Sequence, residues 1–175
     1  GPRLRPRNSA GKVVECVSQM NTGGKYNDDV FQYSVGLNGV GTKAVNALSE
    51  SFYVRAVRDG EYADALFERG KLKKKTQGTC TEKNGTLVRF KPDHEIFPKF
   101  KFRSEHLERR MRMYAYLNAG LAIDFNETRF VSENGLMDLI HDEALREKIY
   151  PPFYYRSKTL ELAFTHTNNY SESYF

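Results

Sequence analysis

The clearest chemistry lies in Gly36-Leu37-Asn38-Gly39-Val40-Gly41-Thr42-Lys43-Ala44-Val45-Asn46-Ala47-Leu48-Ser49. Three glycines stand at spacings of three and two, and a helical pattern of Ala44, Val45, Ala47 and Leu48 follows at once. A glycine-rich loop that opens a helix is an anion site. Its first-turn N–H groups have no intrahelical acceptor, and the helix dipole places partial positive charge beside them. Glycine also lets a phosphate approach the backbone closely. On spacing alone, a plain glycine turn before an amphipathic helix reads equally well.

Other constellations are weaker. His94, His106, His141 and His166 are scattered without metal-ligand spacing, so no metal site is expected. No serine or cysteine nucleophile stands with a matching base. Cys16 and Cys80 are too few for a disulfide scaffold and read as buried or inert thiols in a reducing cytosol. Asp138, Asp142 and Glu143 read as a solvated helix face, and Glu127 with Arg129 as a surface pair. Net charge is +5, a mild basic excess. Lys71, Lys73, Lys74 and Lys75 concentrate it in a run that reads as a solvated loop or, alternatively, as a contact for nucleic acid. No apolar stretch approaches membrane-spanning length, and no secretory leader pattern is present, so a cytoplasmic location without membrane contact is expected.

The elements that must position the glycine loop can be laid out along the 175 residues, enough for a real core. Residues 1–10 read as a disordered or cloning-derived start. Val13, Val14, Cys16 and Val17 mark a short helix over 11–20. Residues 21–35, rich in Gly, Asn and Asp, form a loop of lid-like length. The glycine-loop helix is expected over Thr42 to Glu50. Phe52, Val54 and Ala56 alternate with Tyr53, Arg55 and Val57; Asp59-Gly60 is a two-residue hairpin turn, and Glu61 to Glu68 returns. Residues 70–80 read as a variable loop. Asn84-Gly85 turns into a strand, Thr86 to Phe90, that Pro92 ends.

A helix spans Ser104 to Asn118, with Ser104 as cap and Leu107, Met111, Tyr114 and Leu117 as buried stripe; Gly120 stops it. Leu121 to Phe125 and Thr128 to Val131 form a hairpin around Asn126-Glu127. Asn134 to Glu143 is a helix. After Pro151-Pro152, Ser157 to Thr165 is a strand, and Asn168-Asn169 turns toward another near Ser171. Helices alternating with antiparallel hairpins argue for an α/β (α+β) two-layer sandwich with helices on one face of a mixed, mostly antiparallel sheet.

The wording of the glycine segment resembles the ATP-lid motif of the B subunits of type IIA DNA topoisomerases, in the gyrase and topoisomerase IV branches. Asn38 stands where gyrases usually carry histidine, which is closer to the topoisomerase IV branch. Asn21-Thr22-Gly23-Gly24-Lys25-Tyr26-Asn27-Asp28-Asp29 resembles the lid. Tyr53 to Tyr62, Gly85 to Asp93 and Leu117-Asn118-Ala119-Gly120 resemble further family segments, in family order. The resemblance implies a Bergerat-type (GHKL) ATPase fold over residues 11–152, with residues 153–175 opening a transducer domain.

It also implies a site. Backbone N–H groups around Gly36, Leu37, Asn38, Gly39, Val40 and Gly41 would hold the phosphates of ATP, and Lys25 would add a point charge. Thr86 matches a threonine near the base, and Arg58 falls near an arginine at the mouth of the base pocket. Phe31 replaces a base-contacting tyrosine and cannot donate its hydrogen bond; Gln32 stands at a usually basic position. The family's general-base glutamate, its magnesium-binding asparagine and its adenine-reading aspartate find no counterpart, and Glu15 is the sole early carboxylate. These residues read as an internal piece of an ATPase subunit, inactive alone. In the intact subunit the resemblance implies ATP and Mg²⁺ as cofactors. DNA, a second copy of the subunit and a DNA-cleaving subunit would be its partners. The competing readings are a non-catalytic anion- or partner-binding module and a basic nucleic-acid-binding domain.

Overall fold

The computed structural model describes residues 9–19, 40–143 and 148–168. The chain divides into two compact units, Gly1–Phe100 and Lys101–Phe175.

The first unit runs α1 (Ser9–Ser18), α2 (Val40–Ala47), β1 (Ser49–Arg58), β2 (Glu61–Glu68), β3 (Lys71–Thr79) and β4 (Gly85–Pro92). Its strands pair antiparallel in the order β3-β2-β1-β4. Strand alternation puts Phe52, Val54 and Ala56 on one face, opposite Phe67, Ala65 and Ala63 of β2. That face is the core: Phe52, Val54, Ala65 and Phe67 are buried together with Val17 of α1, and Val13 and Val14 pack against them. The Phe52 and Phe67 rings meet edge-on at 6.3 Å, the arrangement aromatic quadrupoles favour. Helices on one sheet face and antiparallel strands agree with the expected class.

Both tight turns place two successive residues at positive φ, the second of each a glycine, which carries no Cβ penalty there. Asp59 and Gly60 take φ 52° and 83°, and Arg69 and Gly70 take 49° and 75°. Two successive left-handed residues match the twist of a two-residue hairpin.

Three expectations for this unit are corrected. Residues 70–80 are no loop; Lys71–Thr79 is an edge strand exposed at every position. With no apolar alternation to announce it, β3 forms because β2 offers a ladder and Arg69-Gly70 makes the turn. The glycine-loop helix starts at Val40 and ends at Ala47, so Ser49 and Glu50 already belong to β1. The competing partners are visible: the Leu48 carbonyl accepts the Asp93 N–H at 3.0 Å, and the Ser49 carbonyl accepts the Arg69 N–H at 2.9 Å. The cysteines are free but not buried; Cys16 is exposed and Cys80 half-buried, because Cys16 sits beside Val17 on the outer side of α1.

The second unit holds α3 (Ser104–Leu117), the hairpin β5 (Ile123–Phe125) and β6 (Thr128–Phe130), α4 (Leu136–Glu143), and the hairpin β7 (Phe153–Arg156) and β8 (Glu161–Phe164). Ser104 is not the cap of α3. Arg103 is the extended residue before the helix, and no side chain caps it. The buried side is Ala115 and Tyr116, while Tyr114 and Leu117 stay about half exposed. The stripe is rotated because α3 packs on α4 and on the β5–β6 hairpin. Of the expected strand over 157–165, Glu161–Phe164 is a strand, and residues 157–160 instead turn into it from β7: the Ser157 N–H donates to the Leu160 carbonyl at 2.7 Å. The turn and strand expected beyond Asn168 lie outside the described residues.

Asp138 and Asp142 are also not merely solvated. Asp138 accepts the Ser132 hydroxyl at 2.6 Å and the Asn134 N–H at 3.1 Å, bracing the entry to α4. Asp142 accepts the Tyr116 hydroxyl. Burial first, and that carboxylate second, push the Tyr116 phenol up to about 12. Arg129 pairs across the hairpin with Asp124 at 3.7 Å.

Candidate anion site at the start of α2

α2 is fastened at its far end, and among the described residues its near end is exposed. Asn46 is buried and donates from Nδ2 to the Val17 carbonyl at 2.9 Å, tying α2 to the end of α1. Ser49 Oγ donates to the Val45 carbonyl at 2.6 Å. Ala47 abuts the β2–β3 turn so closely that a Cβ on Gly70 would lie 3.2 Å from its Cα. Lys43 is buried.

Among the described residues, nothing comparable covers the first turn. Val40, Gly41 and Thr42 are exposed, and a Cβ built on Gly41 would meet nothing within 4 Å. The first-turn N–H groups of a helix lack intrahelical acceptors, so this end presents donors and a positive dipole end that no described residue covers. That arrangement binds an anion such as a phosphate.

Thr86 and Arg58 lie at one end of the sheet, away from α2's first turn in sequence register. Thr86 of β4 lies opposite Ala56 of β1, and Arg58 follows two residues on, so both share the core-side face at one end of the sheet. Arg58 Nε lies 3.5 Å from Asp59 Oδ2. The end is braced by Asn84, which accepts the Asp59 N–H at 2.7 Å and donates to Asp59 Oδ1 at 3.1 Å. Asn84 is legible in the sequence only as a turn residue; its reach across to the β1–β2 turn is tertiary. Lys25, Gly36, Leu37, Asn38 and Gly39, together with Phe31 and Gln32, lie outside the described residues.

The polar clusters elsewhere serve the fold. On the outer sheet face, Arg55 reaches Asp64 at 3.2 Å and Glu82 at 2.5 Å and stacks over the Tyr62 ring at 4.0 Å. The Glu82 hydrogen bond raises the guanidinium pKa further. Glu50 accepts from Lys91 at 3.0 Å and contacts His94 at 3.2 Å; the Lys91 bond, then His94, hold its carboxyl below the usual range.

A helix start with space at Gly41 suits the phosphate end of a nucleotide in donor chemistry. Among the described residues, no three of His, Cys, Asp and Glu stand together as metal ligands. Among them, too, no helix is long and apolar enough to cross a membrane.

No protein-family model matches the chain. Over 166 residues it is 54% identical to the B subunit of DNA topoisomerase 4 from Borreliella burgdorferi, covering 94% of this chain and 28% of that protein. Over 189 residues it is 33% identical to the B subunit of DNA gyrase from Thermotoga maritima, covering 97% and 30%. Among solved structures, it superposes with a TM-score of 0.70 on the 43K ATPase domain of Thermus thermophilus gyrase B, crystallised with an aminocoumarin. That match has 29% identity and covers 97% of this chain and 46% of the other. The chain thus spans less than a third of the length of these curated relatives.

Proposed function

We propose, since this chain belongs to the B-subunit family of type II DNA topoisomerases, that it is the ATP-binding part of such a subunit. The observation that carries the reading is the open start of α2, with space at Gly41, in a chain that shares the fold of a gyrase B ATPase domain. The anion expected at that end is then the phosphate tail of ATP.

In this reading the N–H groups of Gly36, Leu37, Asn38, Gly39, Val40 and Gly41 donate to the phosphates, and Lys25 supplies a point charge. Thr86 and Arg58, side by side at their end of the sheet, serve the base. Residues 11–152 form the nucleotide-binding part and 153–175 begin the transducer. ATP with Mg²⁺ supplies a cleavable phosphoanhydride. This chain's described residues provide phosphate binding and orientation; they provide no carboxylate cluster for the metal. Nucleotide binding favours a closed pair of subunits, and closure captures one DNA duplex for passage through another that a separate subunit has cleaved. Such a shift needs only that the closed state bind nucleotide more tightly than the open one.

The test is thermal. A ligand of the native state raises Tm by mass action, worth about 2.7 kcal/mol at a hundredfold excess over Kd. With a non-hydrolysable ATP analogue and Mg²⁺, the whole subunit carrying this segment melts higher, and the 175-residue chain alone moves little. A whole subunit indifferent to the analogue overturns the proposal.

A further inference from the structure

We propose that β3 is a sequence-independent contact strip for the phosphate backbone of duplex DNA; the inference rests on the reading of this chain as part of a DNA-handling subunit. Lys71, Lys73, Lys74 and Lys75 crowd into five consecutive residues of one edge strand, and all nine residues of that strand are exposed. The strand buries no face of its own, so packing does not account for its composition.

Of these four lysines, only Lys73 is held in an ion pair among the described residues, with Glu68 at 3.0 Å. The register leaves the other charges without an acid to answer them. Lys74 lies opposite Leu66 and Lys75 opposite Ala65. Lys71 lies opposite Glu68, whose carboxylate Lys73 already engages. A strand rises about 3.3 Å per residue, so Lys71 to Lys75 cover roughly 13 Å of the sheet edge, with Lys71 and Lys74 on its outer face and Lys75 on the opposite face. A duplex carries about eight phosphate charges over that length.

The strip continues as a donor surface. Gln77 and Thr79 extend it with an amide and a hydroxyl. An edge strand also points unpaired N–H groups outward. Phosphate oxygens take hydrogen bonds from such groups without reading sequence. The competing explanation is that lysines on an edge merely prevent strand-to-strand aggregation. That role asks for a charge or two, whereas four of five positions carry one here.

The experiment measures binding of the 175-residue chain to a fluorescently labelled mixed-sequence duplex across a salt series. Three proteins are compared: the parent, Lys71→Gln/Lys74→Gln/Lys75→Gln, and Lys71→Arg/Lys74→Arg/Lys75→Arg. Each phosphate contact contributes about 0.9 to the slope of log K against log salt. The glutamine variant is expected to lose two to three contacts' worth of slope, and at least about tenfold in affinity at 0.1 M salt. The arginine variant keeps both, and all three share a melting temperature.

Unchanged affinity and slope in the glutamine variant overturn the proposal. So does a variant that binds DNA normally but sediments as aggregates, which assigns the lysines to edge protection. Tighter binding to phosphatidylserine vesicles than to DNA at equal salt overturns it in favour of a membrane. The ATP-analogue melting shift of the whole subunit, measured with the same substitutions, separates this idea from the nucleotide reading: β3 substitutions leave that shift intact. Its absence in the unsubstituted subunit removes the nucleotide reading without touching the DNA slopes.

Discussion

The carboxylate of Asp93, 2% exposed, lies 2.6 Å from Arg69 Nε and accepts the Glu95 N–H at 3.0 Å. Arg69 in turn reaches Glu95 at 2.7 Å. These contacts pin the end of β4 to the β2–β3 turn, just where α2 hands over to β1. The Glu95 N–H, with the Arg69 guanidinium behind it, holds the Asp93 carboxyl below its ordinary range. A depressed folded pKa means stability that is present above the unfolded value, near 3.9, and lost as pH falls through the folded one. Melting temperature should therefore drop on acidification below about pH 4. Asp93→Asn should melt several degrees lower at neutral pH and show a shallower acid limb; an equal limb assigns the acid loss to Asp138, whose carboxyl the Ser132 hydroxyl also holds low. At Gly41 the prediction runs the other way. A Cβ there enters open space, and replacing glycine in a helix by alanine gains up to about 1 kcal/mol. Gly41→Ala should fold at least as well as the parent, yet weaken the nucleotide-dependent melting shift of the whole subunit by crowding the phosphates.

Among elements, α2 works because its two ends are treated differently. The C-terminal end is wedged against the Arg69-Gly70 turn, while no described residue covers the N-terminal end, where Val40, Gly41 and Thr42 are exposed. Gly70 is the residue that permits the wedge. It has φ 75° and sits where a Cβ would be 3.2 Å from the Ala47 Cα. Gly70→Ala should cost about 1–3 kcal/mol through left-handed strain together with this clash. Gly60→Ala, with a similar φ but a nearest neighbour at 3.8 Å, should cost less. Urea unfolding of the pair checks the order; equal losses would show that the contact with Ala47 carries no weight.

For the molecule as a whole, the two outer strands of the four-stranded sheet differ in kind. β3 is lysine-rich, while β4 exposes Leu87 and Val88, each more than 40% accessible. Among the described residues no strand pairs with the far side of β4. An apolar outer edge is a template for another chain. The 175-residue chain should self-associate through β4, and Val88→Lys should shift sedimentation toward monomer. A variant as associated as the parent would move the contact elsewhere.

Local signals alone place the β1–β2 turn and β2 to the residue, through Asp59-Gly60 and the strict alternation around Phe52 and Val54, though not the start of β1. They also carry the family, because the wording from Gly36 to Ser49 needs no fold to be read. Long-range contacts settle the rest: where α2 stops, that 71–79 is a strand, which side of α3 is buried, and that Thr86 stands beside Arg58. Those outcomes depend on partners distant in the chain: a carbonyl claimed by Asp93, a ladder offered by β2, a helix laid on α3. Local preference cannot carry such information, because the free energy that settles it comes from contacts formed only after the chain has closed on itself.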